Sequence, residues 1–361
     1  MFENKNERIE LLKELSLAFG PTGSEMTTAE LIIEKLNALG YSHKLDRLGN
    51  VIVHVPSGKD NAKKLMISAH MDEVGFIVND ITDDGYIKFD QLGGIDPRVL
   101  CGKHVILEGK NGGYIPGVIA SKAIHHQTPE ERKAATPINK MYIDIGAKDK
   151  ADAEELTFIA ASGTFDSEFV VYGENGGYIK SKALDDRLGC AEMLYVLEAI
   201  KGKDIPVDLY FCFTVREEIG LSGARTVAQT IAPDFAVVLE TTAIADLPDV
   251  IPSKRVAKVG GGGVISLQDR STIYDRGFVR FAMKVAENHG LALQYKRYVS
   301  GGNDAGHIHK AGAGAKALAI SAPTRYLHSA ACVASTDDYL SMGDVLIALI
   351  NDFDAEEIEN A

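Results

Sequence analysis

The imidazole and carboxylate side chains that could bind a metal together occur at five separated places along the chain. They are His70 with Asp72, the pair Asp185–Asp186, the pair Glu217–Glu218, Glu240 and His328. Imidazole nitrogen and carboxylate oxygen are suitable ligands for borderline divalent ions such as zinc, cobalt and manganese. A carboxylate can bridge two cations, and two cations about 3.5–4 Å apart can activate water and polarise a carbonyl group. Two histidines and three carboxylates would therefore suffice for a dinuclear centre.

The Glu217–Glu218 doublet adds a group that could move protons. Neighbouring residues just beyond a strand end can point in different directions. One carboxylate could then bind metal while the other acts as a general base on water. Such a site would hydrolyse an amide without a nucleophilic side chain.

The elements that carry these residues alternate between strands and helices. After two amphipathic helices at the amino terminus, the pattern predicts strands over 50–56, 64–70, 208–214, 235–241 and 317–321, with helices near 222–230, 272–288 and 337–353. Strands separated by helices indicate an α/β fold with a mostly parallel sheet flanked by helices. Ligands in such sheets bind at the carboxyl ends of the strands, where the candidate residues lie.

The segment from 75 to 166 has a different pattern. It is rich in glycine and in short β-like runs separated by turn dipeptides such as Asp84-Gly85 and Asn111-Gly112. We therefore predict a small β domain over 75–166, inserted into a discontinuous catalytic domain formed by 1–74 and 167–361.

Five motifs together resemble the glutamyl-aminopeptidase and tetrahedral-aminopeptidase family of dinuclear metallopeptidases. They are HMDEVG (70–75), KALDDRLG (182–189), REEIGLSGA (216–224), GGND (301–304) and PTRYLHS (323–329). Their order and spacing match over nearly the whole chain. The resemblance implies a zinc-peptidase-like catalytic domain and a PDZ-like β-barrel as the insertion.

The resemblance also implies a role for each candidate residue. The implied metal ligands are His70, Asp185, Glu218, Glu240 and His328. Asp185 would bridge both metals, His70 and Glu240 would bind the first, and the other two would complete the second. Glu217 would be the general base, and Asp72 would orient the His70 imidazole, as metal-bound histidines commonly require.

Two positions depart from the family pattern. Position 240 is glutamate where aspartate is expected, and the extra methylene displaces the carboxylate by about 1.5 Å unless the backbone or the coordination adjusts. Asn303 stands where threonine is more familiar, in a loop expected near the substrate.

The activity implied by the resemblance is removal of the N-terminal residue from short peptides. It would need two divalent ions per subunit, with zinc, cobalt or manganese as candidates. The resemblance further implies dimers that assemble into a dodecamer. The preferred N-terminal residue is not marked by any motif.

Composition excludes several other classes. With 38 Lys and Arg against 51 Asp and Glu, the net charge of −13 disfavours nucleic-acid binding. No apolar run approaches the roughly 18 residues of a membrane helix. Four scattered cysteines and no signal-like apolar block predict a cytoplasmic protein.

Alternative functions fit the residues less well. A serine hydrolase needs GxSxG, whereas Gly220 to Ala224 lacks the final glycine. An endoglucanase-type glycosidase could use paired carboxylates, but the histidines would be idle and the chain has no tryptophan for a sugar platform. Metal-dependent deacylases and carboxypeptidases use similar types of metal ligand, but their inserted domain typically follows the glutamate pair. A non-catalytic assembly scaffold would retain the base and the ligands to no purpose.

Overall fold

The computed structural model describes residue 2 and residues 4–361. Helices lie mainly outside the segment 75–166. They are α1 (Lys5–Leu17), α2 (Met26–Leu39), α3 (Lys150–Leu156), α4 (Leu184–Ile200), α5 (Ser222–Ile231), α6 (Arg276–Asn288), α7 (Ala305–Ile308), α8 (Thr336–Asn351) and α9 (Ala355–Asn360).

Strands fall into two groups that form separate sheets. The first group is β1 (Lys44–Leu45), β2 (Val51–Val55), β3 (Lys64–His70), β10 (Val170–Tyr172), β11 (Tyr178–Ser181), β12 (Asp208–Thr214), β13 (Phe235–Ala243), β14 (Gly263–Ile265), β15 (Leu293–Tyr295), β16 (Lys316–Arg325) and β17 (Cys332–Ser335). The second group is β4 (Gly75–Ile81), β5 (Ile87–Leu92), β6 (His104–Glu108), β7 (Tyr114–Ala120), β8 (Tyr142–Asp144) and β9 (Ser162–Phe165).

The amino-terminal helices begin and end at residues suited to those positions. The Asn4 side chain accepts hydrogen bonds from the amides of Asn6 and Glu7, and the Glu7 carboxylate accepts one from the Asn4 amide, which completes a capping box. Gly40 ends α2 in the left-handed conformation, which glycine adopts at little cost.

The large sheet has a parallel centre and antiparallel edges. Its main path runs β1-β2-β12-β3-β13-β16-β17-β11-β10, and β14 and β15 branch from β16. The strands β12, β3, β13 and β16 are mutually parallel. Six of the seven residues of β3 are buried, as expected for a strand covered by helices on both faces. This sheet, its helices and the separate barrel confirm the predicted fold class.

Strand register brings the candidate residues to one level of the sheet. In the parallel pairing, Thr214 lies opposite His70, so Glu217 and Glu218 follow just beyond the end of β12. Val238 of β13 lies opposite Ser68, which places Glu240 level with His70. The carboxyl edge predicted from the sequence is therefore a single place in the fold.

The six strands from Gly75 to Phe165 close into an antiparallel barrel in the order β4-β5-β8-β7-β6-β9. Its core contains Phe76, whose ring makes edge-to-face contacts with Phe89 and Phe165. The barrel strands fall within the predicted insertion, and the exact domain boundaries at 75 and 166 stay a prediction.

A buried ion pair joins the barrel to the large sheet. One oxygen of Glu73 accepts a hydrogen bond from Lys182 Nζ at 2.6 Å, and the other accepts one from the Thr164 hydroxyl of β9 at 2.7 Å. Because Glu73 follows β3 and Lys182 precedes α4, the contact fixes three segments around the candidate site.

Most predicted elements agree with the structure, and one helix begins later than predicted. The pattern started that helix near 272, but α6 begins at Arg276 because the Asp275 side chain accepts the Phe278 amide as an N-cap. Within the described residues, no helix is both long and apolar enough to cross a bilayer.

Helix α4 lies against β3 at Gly189. A Cβ atom there would lie 2.5 Å from Asp186 Oδ2 and 2.9 Å from the Ala69 Cβ. Glycine therefore sets how closely α4 approaches the strand that carries His70.

We predict that Gly189→Ala lowers the free energy of unfolding by about 1–3 kcal/mol, because the added methyl group overpacks this contact. Urea denaturation of the variant and the parent checks the loss. Asn37→Ala on the exposed side of α2 serves as the control and should stay within about 0.5 kcal/mol. Equal urea midpoints for Gly189→Ala and the parent would show that the contact is not tight.

Candidate active site

The candidate site lies at the carboxyl edge of the parallel strands. His70 is the last residue of β3, the Glu217–Glu218 pair follows β12, and Glu240 lies within β13. His328 follows β16, and Asp185 lies at the start of α4. The structure thus brings together all five candidate ligands and the candidate base.

Asp185 lies between the two histidines. Its Oδ1 is 3.2 Å from His70 Nε2, and its Oδ2 is 3.4 Å from His328 Nε2. Each carboxylate oxygen therefore faces a different imidazole, which is the arrangement a bridging ligand requires. The Asp185–Asp186 peptide bond is cis.

Main-chain carbonyl groups orient both imidazoles. The Nδ1 atom of His70 donates to the Asp72 carbonyl oxygen at 3.1 Å, and that of His328 donates to the Gly94 carbonyl oxygen at 2.7 Å. In the neutral tautomer each Nε2 then keeps its lone pair directed at the acidic groups. Gly94 belongs to the predicted insertion, so that segment contributes directly to the site.

The Asp72 carboxylate organises the glutamate pair. It accepts the amides of Glu217 and Glu218 at 3.0 and 3.1 Å and the Thr22 hydroxyl at 2.7 Å. It lies 3.5 Å from His70 Nδ1, farther than the main-chain carbonyl of the same residue. The Asp72 carboxylate therefore fixes the backbone of the glutamate pair, and the residue contacts the His70 imidazole through its main-chain carbonyl group. The orienting role implied for Asp72 by the resemblance stays a prediction.

Glu240 accommodates its extra methylene by folding back on its own backbone. Its Oε2 accepts the Thr241 amide at 2.7 Å, while Oε1 stays 3.6 Å from His70 Nε2. One oxygen is thereby fixed by the chain, and the other faces the same imidazole as Asp185.

Burial and mutual repulsion perturb the titration of the carboxyl groups. Burial raises the pKa of Glu218 to about 7, with the Asp185 charge adding to the effect and His328 opposing it. Burial and neighbouring carboxylates also raise the pKa values of Glu217 and Glu240 well above their usual range. Ionisation of all these carboxyl groups would therefore place more negative charge at the site than its surroundings stabilise.

Two sets of ligand atoms could each hold a divalent cation. One is His70, Asp185 and Glu240, and another is Asp185, Glu218 and His328; within each set the atoms lie within 4.8 Å of one another. A third cluster that meets the same distance criterion consists of His70, Glu217 and Glu218, so Glu217 also lies within reach of a cation bound to His70. Glu218 Oε1 is buried without a hydrogen-bond partner among the described residues. A buried acceptor without a hydrogen bond, clustered carboxylates and two imidazole groups all fit the binding of cations.

Sequence reasoning missed several supporting residues. The hydroxyl of Thr22 and the Gly94 carbonyl leave no local pattern, because they act through distant contacts. Glu73 and Lys182 lie within the motifs HMDEVG and KALDDRLG, but nothing in either motif shows that the two residues pair. Buried Asp304 accepts the Thr214 hydroxyl at 2.6 Å, and burial raises its pKa to about 6. Its place after Gly301 and Gly302 in the GGND motif was the available signal.

A cavity of about 630 Å³ opens beside the ligands. Its walls include Asp185, Glu217 and His328 on one side and the loop 300–303 on another. The GGND segment predicted to lie near the substrate therefore lines this cavity through Gly301 to Asn303.

Known aminopeptidases are similar to this chain over nearly its whole length. A lysyl aminopeptidase of Pyrococcus furiosus is 28% identical over 91% of this chain and 92% of its own. A TET aminopeptidase structure from a marine sediment thaumarchaeote has a TM-score of 0.94 at 34% identity and covers 99% of both chains. The Pyrococcus horikoshii TET1 peptidase, described as assembling into a tetrahedron or a large octahedral shell, has a TM-score of 0.85 at 32% identity, covering 95% of this chain and 99% of its own.

The family model for M42 glutamyl aminopeptidases matches residues 49–345. That range contains every candidate ligand, the candidate base and the whole barrel. The chain belongs to the M42 glutamyl aminopeptidase family.

Proposed function

We propose that the protein is a dinuclear metallo-aminopeptidase that removes the N-terminal residue from short peptides. The observation that carries the proposal is the position of Asp185, which belongs to two of the three candidate ligand sets, each with a different histidine. A shared carboxylate between two histidines is what a pair of neighbouring cations requires. Family membership supports the reaction class.

The ligands of the first ion would be His70, Asp185 and Glu240, and those of the second Asp185, Glu218 and His328. Bound divalent ions would supply Lewis-acid polarisation of the scissile carbonyl group and would lower the pKa of water. Zinc, cobalt and manganese all suit this donor set.

Glu217 would transfer the proton. Its Oε2 lies 4.0 Å from His70 Nε2, and the residue lines the cavity. The Asp72 carboxylate fixes its backbone amide, and Glu217 is not a ligand in either of the two sets that share Asp185. Its place in the third cluster, with His70 and Glu218, would keep it within reach of water bound to the first ion. It would accept a proton from the attacking water and then donate it to the leaving amine.

Substrate size, assembly and location complete the proposal. We infer that the chain forms homo-oligomers, by dimers that build a dodecamer, because a similar peptidase is described as a dodecamer and as assembling into a tetrahedron or a large octahedral shell. A closed particle would admit short peptides and exclude folded proteins. The four cysteines are free and three of them are buried, which suits a reducing cytoplasm.

We predict that Glu217→Gln lowers kcat by about 10²- to 10⁴-fold, because an amide cannot accept the proton. Metal content should stay that of the parent. Steady-state hydrolysis of aminoacyl anilides and elemental analysis of the metal-loaded proteins check both statements. Glu287→Gln, exposed on α6, is the matched control and should keep full activity. Full activity of Glu217→Gln would refute its role as base.

We predict that Asp185→Ala and Glu240→Ala differ in metal stoichiometry. Asp185→Ala should lose both ions because both sets share it, whereas Glu240→Ala should retain about one ion per chain. Elemental analysis after gel filtration measures this, with Glu30→Ala on the exposed face of α2 as control. Two ions retained in Asp185→Ala would contradict a shared ligand.

We predict that the metal-free protein loses stability as pH rises from about 5 to 9. Burial raises the pKa of Glu218 from 4.5 to about 7, so its stabilising contribution is present below 4.5 and lost through 7. Burial lowers the pKa of His328, but hydrogen bonding to Asp185 and nearby carboxylates raise it overall from 6.5 to about 9, so its contribution is lost as pH rises through 9. The folded state binds more protons over this range, which gives a fall on the order of a few kcal/mol.

Urea denaturation in chelator at pH 6 and pH 8.5 checks this prediction. Zinc should restore stability at the higher pH, because a cation offsets the ionised carboxylates. Glu218→Gln should flatten the dependence. Equal midpoints at both pH values would contradict the prediction.

A further inference from the structure

One cationic side chain lies in the cavity wall away from the candidate ligands. Lys296 follows β15, and its amide donates to the Ile265 carbonyl oxygen at 2.9 Å, which fixes its backbone against β14. Its Nζ donates to the Ser300 carbonyl oxygen at 3.0 Å. It is the only lysine or arginine among the described residues that line the cavity.

The Lys296 ammonium lacks a counter-ion. Across residue 2 and residues 4–361, no carboxylate oxygen lies within 4.0 Å of its Nζ. An ammonium group has three N–H donors, and the Ser300 carbonyl accepts one of them. The described protein atoms therefore leave most of its hydrogen-bonding capacity unused.

The carboxylates that share the cavity wall are committed to other partners. Asp269 accepts hydrogen bonds from the amide and hydroxyl of Ser271, the amide of Thr272 and the hydroxyl of Tyr274, at 2.6–2.9 Å. Asp96 pairs with Arg98.

The remaining acidic groups of the wall belong to the candidate metal site. They are Asp185, Glu217, Glu218 and Glu240. Lys296 is therefore the one cationic side chain of the described cavity wall, and none of the carboxylates there forms an ion pair with it.

Burial makes this isolation costly. Desolvation lowers the pKa of Lys296, and the charges of Asp269 and Glu240 oppose the shift only in part. A partly buried ammonium without a partner has an unfavourable solvation energy, and an anion entering the cavity would offset it. A cationic substrate group beside Lys296 would instead increase the cost.

We infer that Lys296 is a specificity-determining residue that binds a carboxylate of the substrate. The inference rests on the proposed aminopeptidase function and adds the chemical class that the cavity selects. In a short peptide without internal acidic residues, two parts carry this group: the side chain of an acidic N-terminal residue and the C-terminal carboxylate. Family membership does not decide the matter, since a lysyl aminopeptidase is among the relatives.

The experiment compares kcat/KM of the zinc-loaded parent and Lys296→Met on matched substrates. Glutamyl, leucyl and lysyl p-nitroanilides vary the N-terminal side chain in the absence of a C-terminal carboxylate. Leu-Ala and Leu-Ala amide vary the C-terminal charge at a constant N-terminal residue. We expect Lys296→Met to lower kcat/KM about 10- to 100-fold for the substrate whose carboxylate is bound, and less than threefold for its neutral counterpart.

The pattern of loss identifies the source of the carboxylate. Selective loss on the glutamyl anilide assigns the acidic side chain, and selective loss on Leu-Ala assigns the C-terminus. Lys296→Arg should retain most of the preference, and Lys296→Glu should favour the lysyl anilide or the amide. Arg297→Met, an exposed cation next in the chain, is the matched control and should change no ratio.

Two further outcomes separate this inference from the proposed function. Equal effects of Lys296→Met on charged and neutral substrates would overturn the role of Lys296 and leave aminopeptidase activity standing. Hydrolysis of none of these substrates by the zinc-loaded parent would contradict the proposed function, and the inference with it.

Discussion

Repulsion among buried carboxylates dominates this site. Acidic side chains surround two imidazoles at one edge of the sheet, and burial raises the pKa values of Glu217, Glu218 and Glu240 because their charges are poorly solvated. Only positive charge relieves such a cluster, and the fold offers two histidines where two cations would fit. The fold thus holds carboxylates close together, and the binding of cations would reduce their repulsion.

The parallel centre of the sheet makes this concentration of charge possible. Parallel strands all end at one edge, so the residues after β3, β12 and β16 meet although they are far apart in sequence. Rigid contacts then hold each loop: the Asp72 carboxylate binds the glutamate backbone, and Glu73 joins Lys182 to Thr164. Because the supports are buried and hydrogen-bonded, the acidic groups cannot move apart to lower their repulsion.

The sequence predicted the parts of the fold that depend on local pattern. The strand over 64–70 agrees with β3 because a buried parallel strand is a continuous apolar run. The short strands β10, β11, β14, β15 and β17 were not predicted, since each has only three or four residues. All of them except β10, which pairs with its neighbour β11, also pair with a strand that is distant in sequence.

The same distinction holds for the site. Motifs marked His70 and the glutamate pair, whereas the folding back of Glu240 depends on the Thr241 amide, which no spacing reveals. Lys296 belongs to no motif. Only the structure shows that its ammonium group donates to the Ser300 carbonyl oxygen and forms no ion pair with a described carboxylate.

The hydrogen bond from His328 to the Gly94 carbonyl oxygen ties one imidazole to a loop outside the large sheet. A movement of the barrel relative to the large sheet would therefore displace the carbonyl group that holds this ring towards Asp185. Removing the barrel would leave the ring without its anchor, so a chain reduced to its α/β portion would not inherit a complete site. The barrel and the α/β portion therefore both contribute to the site, and neither can be replaced without adjusting the other.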